Sequence, residues 1–278
     1  MKKFAYAKIN LTLEILKEKP DGYHMIKSVF QKISLHDTVE MFESSKNRVI
    51  FTGFTPNGKT TVEKAMQLFR EKTGIKTAFY INVKKEIPIK SGLGGGSSDA
   101  AAILIMLNKY FKNPIKTKEL IQLAKRIGAD VPFFLNGKTA IVEGIGEKIT
   151  PINAKIGDYF VIIATPKFGY STKEAYDLFD KYGKQGEKNY TERVRKCLIE
   201  KCTNFEKFLY NDFENVYEKI DERFTKFKNK LFNITEKNFH LTGSGSAMFS
   251  IYREKANAEK DREKLSKSGI NVIISKFK

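Results

Sequence analysis

The residues best suited to chemistry lie in the stretch Ser91-Gly92-Leu93-Gly94-Gly95-Gly96-Ser97-Ser98-Asp99. A run this rich in glycine has almost no side chains to pack, so what it offers is backbone. Without Cβ atoms, successive N–H groups can turn inward to form a concave nest. Ser97, Ser98 and Asp99 follow, all good N-cap types. After them Ala100, Ile103, Leu104, Leu107 and Phe111 recur at helical spacing, which predicts an amphipathic helix with one face inward. Loop N–H groups, two hydroxyls and a helix N-terminus then meet at one point, and the ligand that suits such a point is a phosphate. The competing interpretation is a flexible Gly-Ser connector ahead of a helix.

A second phosphate candidate lies upstream. Gly53-Phe54-Thr55-Pro56-Asn57-Gly58-Lys59-Thr60 fits the Walker A pattern, follows the apolar triplet Val49–Phe51 and precedes a helix-like segment, Val62–Arg70. Against it, the preceding strand is short and no apolar strand ends in the acid that would hold magnesium. The chain also opens with several strands in a row, whereas P-loop proteins alternate strand and helix from the start. Other polar positions are less telling alone. Asp130, two residues before Pro132, has the spacing of an N-cap for the next helical turn. A second glycine-serine loop, Thr242-Gly243-Ser244-Gly245-Ser246, lies between two strands.

These positions need elements to hold them. Residues 4–15 alternate with period two: Ala5, Ala7, Ile9, Leu11, Leu13 and Ile15 point to a core, while Tyr6, Lys8, Asn10, Thr12 and Glu14 share the opposite face. For this segment alone, that second face reads as solvent-facing. Pro20-Asp21-Gly22 is a turn. Strands are expected at Val29–Leu35, Val39–Glu43, Arg48–Phe51, Phe79–Val83 and Thr139–Glu143, with a helix capped by Thr117 and a glycine-broken connection over 144–150. The second half carries strands near 159–164, 239–241, 248–252 and 270–274. Helices are expected near 172–182, 190–200, 205–230 and 254–267, and 183–189 reads as a mobile surface loop. Strands alternating with helices of this size predict a small α+β layer.

The bulk numbers narrow the classes. At 278 residues and 41% hydrophobic, the chain can bury one long domain or two ordinary ones. No apolar run approaches membrane-spanning length, and Met1-Lys2-Lys3 leads into a strand and not a signal-peptide core. The two cysteines, Cys197 and Cys202, match no metal-ligand spacing, and the three histidines form no cluster. A soluble, reducing compartment is expected. The formal charge of +18 raises the possibility of nucleic acid, but the lysines are scattered and no arginine-rich block occurs. The charge reads mainly as solvated surface, with an anionic small substrate contributing.

Taken together, these pieces resemble the GHMP superfamily of galactokinase, homoserine kinase, mevalonate kinase and phosphomevalonate kinase. Within it the similarity is greatest to the branch that phosphorylates 4-diphosphocytidyl-2-C-methyl-D-erythritol in non-mevalonate isoprenoid precursor biosynthesis. Ala7-Lys8-Ile9-Asn10-Leu11 with Asp21-Gly22-Tyr23-His24 resembles the first motif and its cytidine-reading extension. Gly92–Ala101 resembles the phosphate loop, and Leu241–Ser246 the third motif. Gly128-Ala129-Asp130-Val131-Pro132-Phe133-Phe134 and Asn211-Asp212-Phe213-Glu214 add to the match, which runs in the family's order over almost the whole chain.

The resemblance implies an α+β, two-domain fold: an N-terminal ATP-binding domain over 1–152 with a mixed sheet and helices, and a C-terminal domain over 153–278 with a ferredoxin-like α/β layer. It implies ATP with Mg2+, the metal ligands staying open, and transfer of the γ-phosphoryl group to the 2-hydroxyl of the cytidyl diphosphate alcohol. On it, Asp130 takes the hydroxyl proton and Lys8 keeps Asp130 ionised. Gly92, Leu93, Gly94, Gly95, Gly96, Ser97 and Ser98 hold the nucleotide's phosphates. Tyr23, His24, Phe30 and Tyr176 form the cytosine pocket, Asn10 and Thr172 hold the methylerythritol diphosphate portion, and Gly243 and Ser244 complete the substrate site. A cytoplasmic monomer or weak homodimer with no membrane or nucleic-acid partner is expected. The chain departs from the family's pattern at two places. Lys90 and Ser91 stand where small residues are usual, and Lys90 is expected to add a phosphate contact. Thr60-Thr61-Val62-Glu63-Lys64-Ala65 replaces the usual Asn-Leu-Val-x-Lys-Ala near the adenine, which leaves adenine recognition open and creates the Walker look-alike. A P-loop NTPase using Gly53–Thr60 and a basic RNA-binding protein remain as alternatives.

Overall fold

A computed structural model describes residues 1–18, 22–154, 156–202 and 204–278; Pro20 and Asp21 of the expected turn lie outside these. Two compact units result. The first comprises Met1–Ala7, Leu35–Pro88 and Gly94–Gly137, the second Lys8–Ser34, Ile89–Leu93 and Lys138–Lys278. The division expected after residue 152 follows chain order, whereas these units follow packing, because two long strands contribute residues to both.

Those strands are β1 (Lys2–Glu18) and β2 (His24–Ser44). The two strands expected at Val29–Leu35 and Val39–Glu43 are therefore one continuous strand. In the first unit β3 (Arg48–Thr52) is followed by α1 (Thr61–Thr73), β4 (Ala78–Lys84), α2 (Gly95–Tyr110), α3 (Thr117–Ile127) and α4 (Val131–Asn136). β4 pairs antiparallel with Thr38–Ser44 of β2 and parallel with β3. Val39, Met41, Phe79, Ile81 and Val83, alternating along these strands, are all buried. α1 and α2 pack on each other with α3 and α4 beside them, and Tyr110 at the end of α2 meets the Phe79 ring of β4 edge-on.

α2 differs from the expected amphipathic helix. Ala100, Ala101, Ala102, Ile103, Leu104, Met106 and Leu107 are all buried, so the helix is covered on most sides. Small alanines in its first half let neighbours approach from every direction. Its N-cap is Gly94 in the left-handed region (φ 74°) and not Ser97, Ser98 or Asp99, which lie inside the helix. Lys116, not Thr117, stands at the N-cap of α3.

The second unit contains β5 (Thr139–Gly144), β6 (Lys148–Pro151), β7 (Phe160–Thr165), α5 (Thr172–Tyr182), α6 (Tyr190–Ile199), β8 (Tyr210–Asn211), α7 (Asp212–Ile220), α8 (Glu222–Thr235), β9 (His240–Leu241), β10 (Met248–Tyr252), α9 (Lys255–Lys267) and β11 (Asn271–Lys276). β5 pairs antiparallel with Ile26–Gln31 of β2 and with β6, so the expected glycine-broken connection holds a strand. β8 pairs parallel with β1 at Thr12 and Leu13. A separate antiparallel sheet has the order β11–β7–β10–β9. The helix expected over 205–230 is broken into a 3-10 turn at Phe205–Phe208, β8, α7 and α8, with Asn211 and Asp221 supplying side-chain caps at the two later starts. α7, α8 and α9 pack in series, and a buried aromatic set including Phe179, Phe213, Tyr217, Phe224 and Phe239 fills the core. The segment 183–189 is pinned and not loose: Gly186 N donates to Ile15 O (3.1 Å) and Lys188 N to Glu14 Oε2 (2.6 Å). No described helix is long and apolar enough to cross a membrane.

Candidate active site

β1 sets up the site in the second unit. Its apolar face is buried as the alternation predicts, but so is the other face: Lys8 and Asn10 are each 2% exposed, and Thr12 and Glu14 are fully buried. Polar side chains taken out of water need partners. Glu14 accepts from Lys188 N and Thr191 N, the latter at 2.7 Å, and Thr12 Oγ1 accepts from Val29 N at 3.0 Å. The Lys8 ammonium donates to Asn10 Oδ1 (2.6 Å) and lies 4.7 Å from the centre of the Phe30 ring. Both contacts are with neutral groups, one through an amide dipole and one through a ring quadrupole.

Asn10 links this lysine to the glycine-serine loop. Its Oδ1 also accepts from Gly243 N (2.8 Å) and Thr242 Oγ1 (3.2 Å), its Nδ2 donates to Ser28 Oγ (3.0 Å), and its backbone N–H donates to Thr242 Oγ1 (3.0 Å). The entry to the first glycine loop arrives at the same place. Lys8 N donates to Leu93 O (3.0 Å), and Ala247 N to Ser91 O (3.2 Å). Gly92 has φ 77°, and a Cβ there would stand 2.0 Å from the Thr242 carbonyl oxygen. A Cβ at Gly243 would lie 3.0 Å from the Gly92 Cα and 3.4 Å from Lys8 Nζ. Three segments far apart in the chain thus approach so closely that only glycine fits between them.

The remaining expected substrate residues of this unit fall into two groups. Thr172 Oγ1, at the start of α5, is 3.4 Å from Ser244 Oγ, and Ser244 O accepts from Tyr217 OH (3.0 Å). His24 stacks on Tyr176, with ring centroids 4.6 Å apart and planes 18° apart, while Tyr23 is 60% exposed. His24 Nε2 lies 2.6 Å from Asp180 Oδ1, so the Nε2–H donates to that carboxylate and the ring is held in place. Phe30 is buried, with its ring face beneath the Lys8 ammonium.

In the first unit, Gly94–Ser98 start α2. Ser98 N→Gly94 O (2.9 Å) is the first intrahelical bond, so the N–H groups of Gly95, Gly96 and Ser97 precede it. That cradle, with the positive end of a 16-residue helix, fits an anionic phosphate chain. Beneath it lies a buried ion cluster: Lys85 Nζ donates to Asp99 Oδ2 (2.7 Å) and to Asp37 Oδ2, and Asp37 Oδ1 accepts from Glu86 N (2.6 Å) and Ile87 N (2.8 Å). Asp99 Oδ1 has no hydrogen-bond partner, and burial, with Asp37 nearby, pushes the Asp99 carboxyl up to about 7 despite Lys85. Asp130 occupies the N-cap position of α4, yet its side chain makes no capping bond there. The Asp130 carboxylate is therefore not committed to the ordinary capping role. Among the described residues, no group of three or more His, Cys, Asp or Glu side chains could hold a metal.

Sequence patterns had no signal for Asp37, Lys85, Asp180 or Ser28 as partners, since each acts across long chain separations. Asn211 was visible as part of a motif, but its contacts were not: Nδ2 donates to Leu241 O (3.0 Å) and Gly243 O (2.9 Å), and Oδ1 accepts from Phe213 N (3.0 Å). Lys90 has φ 52°, a conformation that favours glycine, which explains why a small residue suits that position.

The Walker-like loop has the strand–loop–helix order but not the chemistry. Thr60 is the N-cap of α1 in a reciprocal capping box with Glu63, and Lys59 donates to Gln67 Oε1. A hydroxyl and an ammonium committed to their own helix are not presented to a phosphate.

Comparison with known proteins agrees. The model of the GHMP kinases N terminal domain matches residues 60–138. The chain is 38% identical over 277 residues to a 4-diphosphocytidyl-2-C-methyl-D-erythritol kinase of Carboxydothermus hydrogenoformans, covering 99% of this chain and 96% of that one. It is 38% identical over 284 residues to the kinase of the same name from Clostridium tetani, covering 99% of both. A crystal structure of 4-(cytidine 5'-diphospho)-2C-methyl-D-erythritol kinase superposes with a TM-score of 0.81 at 26% identity, over 99% of this chain and 98% of that one. Homoserine kinase from Cytophaga hutchinsonii shares the fold, with a TM-score of 0.75 at 19% identity over 100% of this chain and 94% of that one. Neither the P-loop NTPase nor the RNA-binding alternative finds support. With kinases of one name matched from end to end, and with the three glycine- and lysine-bearing motifs in their order, the chain belongs to the 4-diphosphocytidyl-2-C-methyl-D-erythritol kinase family of the GHMP kinases.

Proposed function

We propose that this kinase transfers the γ-phosphoryl group of ATP to the 2-hydroxyl of 4-diphosphocytidyl-2-C-methyl-D-erythritol, a step in making isoprenoid precursors. The observation that carries this is the convergence of Lys8, Gly92 and Gly243, with a buried ammonium held beside two backbone segments that have no side chains. Phosphoryl transfer asks for position and charge more than for covalent chemistry. Bound ATP, with its Mg2+, supplies the electrophilic phosphorus.

The chain's residues do the rest. Gly92–Ser98 hold the phosphates through backbone N–H groups and hydroxyls. Asp130 accepts the proton of the attacking hydroxyl as the new O–P bond forms and the bridging β–γ bond breaks. Lys8 keeps Asp130 ionised and offsets charge on the transferred oxygens. At the other end, Tyr23 and Tyr176 offer ring faces to the cytosine, His24 Nδ1 and nearby backbone read its edge, and Phe30 supports the pocket from below. Asn10 orients Lys8 and, with Thr172, Gly243 and Ser244, meets the methylerythritol diphosphate. Lys90 adds a cation for phosphate, so Lys90→Ala raises the KM for ATP. The enzyme works in the cytoplasm as a monomer or weak homodimer, without nucleic acid or membrane.

The test is phosphorylation by single variants. Lys8→Ala and Asp130→Ala each lower kcat by about 10³-fold or more, and Lys59→Ala leaves it within about twofold, since Lys59 serves only its own helix. Loss of activity in Lys59→Ala with retention in the other two would overturn the assignment.

A further inference from the structure

The motif Asn211-Asp212-Phe213-Glu214 has no part in the chemistry above, yet its first residue touches the loop on which Lys8 depends. We propose that Asn211 is a positioning residue for phosphoryl transfer: through the backbone of residues 241–243 and the Asn10 amide, it fixes where the Lys8 ammonium stands. This rests on the role given to Lys8 above.

Asn211 is 2% exposed and uses both ends of its amide. Oδ1 accepts from Phe213 N (3.0 Å), which caps α7, while Nδ2 donates to Leu241 O (3.0 Å) and Gly243 O (2.9 Å). One acceptor task and two donor tasks leave a single amide orientation. From the next turn of α7, Glu214 Oε2 accepts from Leu241 N (2.7 Å), so one short helix grips Leu241 by both its N–H and its C=O. Gly243 is held from two sides: its C=O by Asn211 and its N–H by Asn10 Oδ1 (2.8 Å). That same Oδ1 receives Lys8 Nζ at 2.6 Å. The relay therefore runs Asn211, Gly243, Asn10, Lys8, with every link a buried or partly buried hydrogen bond.

Capping α7 alone does not require asparagine, since serine or aspartate caps as well. Donating to two buried carbonyls while capping does. Asn211→Ser keeps a cap and removes the donors. Asn211→Asp keeps the cap and aims a carboxylate at two carbonyl oxygens. Either change frees the 241–243 backbone to shift, and a misplacement of about 1 Å at a reacting group costs on the order of 10²-fold in rate.

The experiment measures Tm, kcat and both KM values for Asn211→Ser, Asn211→Asp, Lys8→Ala and a stability control, Val216→Ala, which thins the core on the same helix. Expected for both Asn211 variants is a kcat about 10- to 100-fold lower, with the KM for ATP and for the cytidyl diphosphate alcohol within about threefold. Val216→Ala lowers Tm and keeps kcat within about twofold. A kcat in Asn211→Ser within twofold of wild type, or a loss that merely follows Tm as Val216→Ala does, overturns the proposal. If Lys8→Ala itself keeps its kcat, the role of Lys8 fails first, and the two failures are told apart. Should both Asn211 variants fail to fold, Thr242→Val removes the two Oγ1 bonds to Asn10 (Oδ1 at 3.2 Å, N at 3.0 Å) and so loosens the relay at its Asn10 link with the α7 cap intact. A lowered kcat at unchanged KM then supports the proposal, and an unchanged kcat overturns it.

Discussion

At Lys8 an ammonium is taken almost wholly out of water and set against an amide oxygen and the face of Phe30, neither of which carries charge. A buried ammonium is attracted strongly to any phosphate or carboxylate that reaches it, because little water screens the charge. Period-two alternation in β1 foretold which residues share a face with Lys8. It could not foretell that this face is buried, because Thr242 and Gly243, which bond Asn10, lie 232 and 233 residues away and the backbone donors to Glu14 lie 174 and 177 away. The same distance hid Asp180, 156 residues from His24. Asp180 holds the His24 ring through Nε2, so Asp180→Asn should raise the KM for the cytidyl diphosphate alcohol about tenfold while the KM for ATP stays level. Steady-state kinetics with each substrate varied in turn checks this, and equal changes in both KM values would count against it. Gly92 has the sharpest steric demand: Gly92→Ala places a Cβ 2.0 Å from the Thr242 carbonyl oxygen at positive φ. A loss on the order of 3 kcal/mol in stability is expected, measured by denaturant unfolding, and a loss under about 1 kcal/mol would contradict the observed packing.

α2 is the element that carries the phosphate loop, and its underside is not neutral. Lys85 and Asp37 are the charged groups facing Asp99, and together the three bring one positive and two negative charges into a buried space. Glycine content made the loop legible, and apolar spacing made the helix legible. The ion cluster was not, because Asp37 and Lys85 come from different strands and neither has a local pattern. For Asp99 the folded-state carboxyl is raised from 3.8 to about 7 by burial first. A group raised on folding contributes stability below its unfolded pKa and loses it as pH climbs through the folded one. The protein should therefore lose stability between about pH 4 and pH 7 on this account. Asp99→Asn, which cannot ionise, should gain in Tm relative to wild type on going from pH 5 to pH 8. A Tm difference that stays constant over that range would show that Asp99 does not titrate there.

For the whole molecule, order along the chain and order in space diverge. Local periodicity located β7, β10, β11, α5, α6 and α9 closely, but it merged the 3-10 turn, β8, α7 and the start of α8 into one helix over 205–230. A division into two units by position failed to anticipate that residues 8–34 and 89–93 pack with the C-terminal half, because long strands serve both units. Family membership was legible because it rests on three motifs in fixed order and not on any one. The Walker look-alike shows the contrast: a full match to one pattern, with its threonine and lysine occupied by α1. The charge of +18 suits a chain whose substrates are both polyanions, and it does not choose between them. That choice belongs to the acceptor site, so the direct measurement is ADP release by purified protein given ATP with the cytidyl diphosphate alcohol, homoserine or mevalonate. The account predicts turnover with the first, a product phosphorylated at its 2-hydroxyl, and rates at least about 10²-fold lower with the others, which lack the base. Comparable turnover of homoserine or mevalonate, or none with the cytidyl substrate, would contradict it.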